Sequence, residues 1–235
     1  MQQFYYRHKH AVSCVVLSDL LRYLMMTGIV DYNAGNITSV VHALEALNVP
    51  FVRTHTPDEC AQCDRIIFPG DGDAAYAMEQ LRRTGFDTFL RTWAHDEKPL
   101  LGICVGSQII FDYSEEGDVA CLGLLPGSIR ALPALWEAAG LGASSTRKVP
   151  HMGWNDIIFS NGGSTLFRGI PERSDFYFIH SYVIVPEDEH VVKAYADYGI
   201  RIPACVSYKN ITACQFHPEK SGTFGLQLLK NFCQE

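Results

Sequence analysis

From Met26 to about Gly123, short apolar runs alternate with longer stretches of helical periodicity. That alternation restricts the chain to strands and helices laid down as βα units, and so to the α/β class. "TGIVDY" reads as a buried strand, and Asn36 is placed to cap a helix whose apolar positions Ile37, Val40, Val41, Leu44 and Leu47 fall at helical spacing. "VPFVRT" and "RIIFPG" read as the next strands. The turn "PGDGD" then leads into a helix around Ala74 to Arg83 and a second near Phe86 to Ala94. "PLLGICVG" is a continuous apolar run entering a glycine turn. Beyond Gly123 the short strands "DIIFS", "FYFIHSYVIV", "VVKAYADYG", "PACVSY" and "ITACQFHP" predict mixed or antiparallel sheet. From Ser221, Phe224, Leu228, Leu229 and Phe232 share one helical face, which predicts a closing helix packed on the sheet. The small, polar "WEAAGLGASSTRKVP" reads as a flexible loop.

Length allows one full domain or two small ones, since 235 residues is about 1.6 times a typical 150. A hydrophobic fraction of 47% is ordinary for a globular chain, and a formal charge of −7 argues against both disorder and a polyanion-binding surface. The 8 cysteines are irregularly spaced and too few for a disulfide scaffold, which points to free thiols in a reducing cytosol. "AVSCVVLSDLLRYLMMTGIV" is interrupted by Asp19 and Arg22 before it could span a membrane, and it carries no small-x-small cleavage site.

The chemistry concentrates in two stretches. In "LLGICVGSQ" a buried strand runs into Gly102, Cys104 and Gly106 and on into helix-compatible residues, a nucleophile elbow with sulfur in place of oxygen. Such a turn exposes its side chain and aims backbone N–H groups at an oxyanion, while the helix start favours thiolate. In "QFHPEKSG", Pro218 keeps His217 extended, so the strand's period of two turns His217 and Glu219 the same way. A carboxylate beside an imidazole fixes its tautomer. Cys104, His217 and Glu219 therefore form a hydrolase-type triad drawn from separate loops of one sheet.

"GICVGSQ" with "FHPEKSG" resembles the glutaminase signature of class I, triad-type glutamine amidotransferases, and "DYNAGNITSV", "VPHMGWNDI" and "FYFIHSYVI" narrow the resemblance to the glutaminase subunit of imidazole glycerol phosphate synthases. The resemblance runs from about Met26 to the C-terminus. It implies a flavodoxin-like three-layer α/β fold with a central mixed, mostly parallel sheet and a small antiparallel portion. It also implies that Cys104 attacks the side-chain amide of glutamine, that His217 moves the proton and that Glu219 orients His217. Backbone donors at Val105 and around Asp71 and Gly72 would hold the oxyanion, and Gln108 with His180, Ser181 and Tyr182 would hold the substrate's polar groups. Asn36, His151, Met152 and Trp154 would lie near a partner cyclase. No metal or organic cofactor is implied. The acceptor reaction needs a (β/α)₈ barrel of ~250 residues, for which the chain has no room, so the resemblance implies a heterodimer in the cytoplasm.

Three departures stand out. Val105 and Ser107 replace the family's usual Leu and Met, and Asp71 stands where the turn commonly carries Val. A carboxylate there opposes a developing oxyanion unless it points away or pairs with a cation. The triad fits two other readings as well: a glutaminase serving another synthase, such as a sugar-amidating enzyme, and a regulatory module that keeps the scaffold without turnover. Elsewhere, Cys60 and Cys63 form a lone C-x-x-C without a second pair, "SEEGD" over Ser114 to Asp118 reads as a solvated acidic loop, and "YYRHKH" is too short for a nucleic-acid site. Because "MMTGIVDYNAGN" itself resembles a complete N-terminus, residues 1–25 read as an extension or a miscalled start, and 26–235 as the amidotransferase domain.

Overall fold

The structure, a computed structural model, describes residues 25–142 and 148–234. The extension read over residues 1–25 thus lies, but for Met25, outside the described residues, as does the centre of the loop expected between Trp136 and Pro150.

The strands in chain order are β1 (Thr27–Val30), β2 (Phe51–Thr54), β3 (Arg65–Gly70), β4 (Leu100–Cys104), β5 (Tyr113–Ser114), β6 (Val119–Ala120), β7 (Gly127–Ala131), β8 (His151–Phe159), β9 (Asp175–His180), β10 (Tyr182–Pro186), β11 (Val192–Asp197), β12 (Arg201–Tyr208) and β13 (Ile211–Cys214). The helices are α1 (Ile37–Ala46), α2 (Pro57–Ala61), α3 (Ala74–Thr84), α4 (Phe86–His95), α5 (Val105–Gln108), α6 (Leu132–Ala138) and α7 (Gly222–Gln234). Among the described residues, nine strands form one sheet in the order β2-β1-β3-β4-β13-β12-β11-β8-β9. The pairings from β2 to β13 are parallel. Those from β13 to β9 are antiparallel and continue the same sheet. A second sheet, β10-β7-β5-β6, carries the rest.

The apolar runs explain the centre. Every residue of β1, β3 and β4 is buried, as continuous hydrophobic strands are when helices cover both faces of a parallel sheet. The order reverses direction at β1. Right-handed crossovers then place α1 on one face and α2, α3 and α4 on the other. Asn36 accepts from the Ser39 N–H and caps α1, and Asp73 caps α3 in the same way. The switch point therefore lies between the C-terminal ends of β1 and β3, and the end of β4 opens on the same carboxyl edge, where α/β folds hold their ligands.

Local differences from the sequence reading have identifiable causes. "FYFIHSYVIV" is two strands in two sheets, broken at Ser181, so one apolar run serves two layers. Trp136 belongs to α6, which starts with Pro133 in its first turn, and the expected loop begins only after it. α2 begins at the cap residue Thr56, which accepts from the Glu59 N–H.

Candidate active site

Cys104 is the last residue of β4 and the cap of α5, with φ 55 and ψ −115. A side chain bearing a Cβ seldom occupies positive φ, and such strain gathers at sites where the fold over-determines it. Here three glycines allow it. A Cβ at Gly106 would fall onto the Phe68 carbonyl oxygen, and one at Gly70 onto the Gly106 amide nitrogen. One at Gly102 would meet the Gly106 carbonyl at 2.9 Å. Elbow and neighbouring strand end thus touch through bare backbone. The Ser107 hydroxyl donates to the Cys104 carbonyl at 2.6 Å and steadies the strained peptide.

β13 lies beside β4 in register, with Cys214 opposite Ile103, so the segment that follows β13 arrives at the elbow. His217 is held there by its own N–H, which donates to the Tyr177 carbonyl at 2.9 Å, and by Ser221, whose hydroxyl donates to the His217 carbonyl at 2.5 Å. The pairing with Glu219 has a different origin from the strand period expected. His217 is extended, but Glu219 sits in a 3₁₀ turn over Pro218–Lys220, and that turn curls the carboxylate back to His217 Nδ1 at 2.7 Å. Both side chains are buried, and His217 Nε2 makes no hydrogen bond. Burial by itself lowers the pKa of His217, but Cys104 and then Glu219 outweigh it and raise the imidazole to about 10. A buried thiol, imidazole and carboxylate in series form the arrangement for proton-assisted nucleophilic attack.

Cys104 opens onto a cavity of about 210 Å³, whose other lining residues are Asp71, Gly72, Val105, Gln108, Glu116, Pro150, Ile179, His180, Ser181 and Tyr182. The structure thus brings Gly72, Val105, Gln108, His180, Ser181 and Tyr182 together around the thiol. Gln108 Nε2 donates to the Tyr182 carbonyl at 3.0 Å and to Gln215 Oε1 at 2.8 Å, tying α5 to β10 and to the end of β13. Asp71 does not point away from its turn: its Oδ1 accepts the Gly72 N–H at 2.9 Å. The sequence reading missed Glu116. It is half-buried in the cavity wall rather than solvated, it accepts the Ala74 N–H at 3.1 Å, and burial raises its carboxyl pKa. Only two residues, Tyr113 and Ser114, pair β5 with both β6 and β7 beside it, and no periodicity signals strands that short.

The stretch expected at a partner surface divides by strand alternation. Met152 and Trp154 are each 58% exposed, whereas His151 is buried against β9. Asn36 is partly buried and serves as the cap of α1. Among the described residues no group of three or more His, Cys, Asp or Glu could hold a metal ion, and no helix is long and apolar enough to cross a membrane.

Known proteins resemble this chain over most of its length. Residues 28–235 match the family described as glutamine amidotransferase class-I. A protein of Moorella thermoacetica named imidazole glycerol phosphate synthase subunit HisH is 46% identical over 205 residues, covering 87% of this chain and 92% of its own. A subunit of the same name from Dehalococcoides mccartyi is 42% identical over 208 residues, covering 88% and 96%. Among solved structures, PurLQS from Thermotoga maritima superposes with a TM-score of 0.67 at 20% identity, over 88% of this chain and 97% of that one, a likeness of fold.

Proposed function

The chain belongs to the class-I glutamine amidotransferase family, and from that premise we propose that it is the glutaminase subunit of an imidazole glycerol phosphate synthase, acting in the cytoplasm in histidine biosynthesis. The buried His217–Glu219 pair, delivered by β13 beside the Cys104 elbow, carries the reading. The Cys104 thiolate attacks the side-chain amide carbon of L-glutamine. His217, held by Glu219, takes up the thiol proton and delivers it to the leaving nitrogen, so that ammonia departs and a glutamyl thioester remains. Water, deprotonated by His217, then cleaves the thioester to glutamate. Val105 N–H supplies one oxyanion donor and Gly72 N–H the other, once Asp71 releases it. Gln108, His180, Ser181 and Tyr182 position the substrate, and the Asp71 and Glu116 carboxylates favour its ammonium group.

The ammonia passes to a (β/α)₈ cyclase partner, which uses it with N′-(phosphoribulosyl)formimino-AICAR ribonucleotide to make imidazole glycerol phosphate and AICAR ribonucleotide. The relatives' names, each a subunit of that synthase, support this acceptor. The exposed Met152 and Trp154 supply an apolar docking face, as aromatic and Met side chains do at interfaces. The Asp71 contact favours low resting turnover in the isolated chain. The test is glutamate release by the chain co-expressed with a cyclase barrel, with and without the formimino ligand. Release that the ligand stimulates and that Cys104→Ala abolishes is expected. Binding of the barrel without any release would leave the regulatory-module reading, and no binding would point to a different synthase.

A further inference from the structure

A line of buried and part-buried hydrogen bonds runs from β8 into the cavity wall, and the triad chemistry leaves it unused. The Tyr182 carbonyl lies 2.8 Å from His180 Nδ1 and also receives Gln108 Nε2. A carbonyl can only accept, so His180 carries its proton on Nδ1 and presents Nε2 as a bare lone pair. His151 Nδ1 stands 2.9 Å from that Nε2, so His151 donates there. Its own Nε2 is left as an acceptor, with Asn155 Nδ2 at 3.3 Å to supply the donor. One tautomer at each ring completes every bond in the series. Burial lowers the pKa of His151 to about 4, and burial followed by the neighbouring His151 lowers that of His180 to about 3, so both rings stay neutral.

The rings are held in place. His151 lies directly opposite His180 in the β8–β9 ladder, and it is stacked against Tyr198 at 4.0 Å and Phe178 at 4.8 Å between centroids. The series ends where the chain leaves β9 in one sheet and enters β10 in the other. Ser181 forms that bend, and all three residues from His180 to Tyr182 line the cavity.

Building on the glutaminase reading above, we infer that His151 is a positioning residue for the glutamine pocket. Its donated hydrogen bond fixes the tautomer of His180, and His180 in that tautomer fixes the Tyr182 carbonyl and the bend that shapes the cavity. His151 does not act on the triad, so its loss slows a reagent that needs the pocket and spares one that needs only the thiol.

The experiment compares labelling of Cys104, in the full chain assembled with the cyclase barrel and its formimino ligand, by 6-diazo-5-oxo-L-norleucine, a glutamine analogue, and by iodoacetamide. His151→Phe keeps the stacking and removes the donor, while His151→Asn restores an N–H near the position of Nδ1. Labelling of His151→Phe by the analogue is expected to fall about tenfold, the equivalent of one lost hydrogen bond. Iodoacetamide should label it at the wild-type rate, and His151→Asn should recover most of the analogue's rate. In wild-type protein, ¹⁵N NMR should find His180 protonated on Nδ1, a readout that stands even if His151→Phe fails to fold. Analogue labelling of His151→Phe at the wild-type rate, or an Nε2-protonated His180 in the wild type, overturns the inference. Failure of the analogue to label the wild type overturns instead the glutaminase reading on which it rests.

Discussion

Replacing Glu219 with Gln removes one charge from a pair that water scarcely reaches. His217 and Glu219 are 2% and 1% exposed, and 2.7 Å separates Nδ1 from Oε1. Burial, the largest single influence, lowers the pKa of His217, and the contacts with Cys104 and Glu219 together overcome it to reach about 10. In the variant the burial remains, one of the two opposing contacts loses its charge, and the imidazole pKa falls. The hydrogen bond changes from charge-assisted to neutral, a loss of roughly 1 to 2 kcal/mol in the ground state. The loss grows in the transition state, where the imidazolium must be held. Removing the orienting carboxylate of a hydrolytic triad costs up to about 10⁴ in kcat, so a fall of about 10² to 10⁴ in glutamate release is expected, or about 3 to 5 kcal/mol of barrier.

The same pair sets a pH dependence of stability. Because the folded state raises the His217 pKa above its ordinary 6.5, the native protein holds a proton that the unfolded chain gives up between pH 6.5 and 10. The stabilisation is complete below pH 6.5 and is lost as pH rises to 10. Urea denaturation across that window should show wild-type stability declining and Glu219→Gln declining less. A variant that releases glutamate at the wild-type rate, or a wild type whose stability is as flat as the variant's, would refute the reasoning.

Asp71→Val frees the Gly72 N–H from the side chain that occupies it. Resting glutamate release should rise about 2- to 10-fold, as expected for one exposed hydrogen bond, and an unchanged or lower rate in a coupled glutamate dehydrogenase assay counts against the idea. Trp154→Ala and Met152→Ala remove the exposed apolar face and should each weaken cyclase binding by at least about fivefold in titration calorimetry while leaving iodoacetamide labelling of Cys104 unchanged. Gly106→Ala drives a Cβ onto backbone that cannot yield, so a loss of at least about 1 to 3 kcal/mol should appear in chemical denaturation.

The parts of this molecule that were legible in its sequence are those where a local pattern and the tertiary environment agree. "RIIFPG" and "PLLGIC" became β3 and β4 because unbroken apolar runs have no stable place but the covered centre of a parallel sheet. The elbow could be read because Gly102 and Gly106 flank the cysteine at the spacing that a sharp strand-to-helix turn requires. The third glycine, Gly70, does its packing from another strand, where local spacing says nothing about it. His217 and Glu219 were recognisable as residue types, yet a 3₁₀ turn rather than an extended strand joins them. Glu116 was missed because an acidic, glycine-containing segment looks solvated until two-residue strands draw it into the cavity wall. His151 sits in an aromatic run that suggests a surface, and only the alternation of β8 turns it inward while its neighbours stay exposed.

The central claim is that Cys104 is the nucleophile of an amide-hydrolysing triad, and the most direct test is to map the covalent adduct left by the glutamine-analogue electrophile. The chain offers competing thiols: burial pushes Cys60 up to about 12 and Cys121 and Cys233 up to about 11, which leaves them poor nucleophiles at neutral pH. Peptide mapping by mass spectrometry should find one adduct per chain, on the peptide that carries Cys104, and none after prior labelling of that thiol with iodoacetamide. An adduct on another cysteine, or an unmodified Cys104 in the presence of the cyclase barrel and its ligand, would contradict the account.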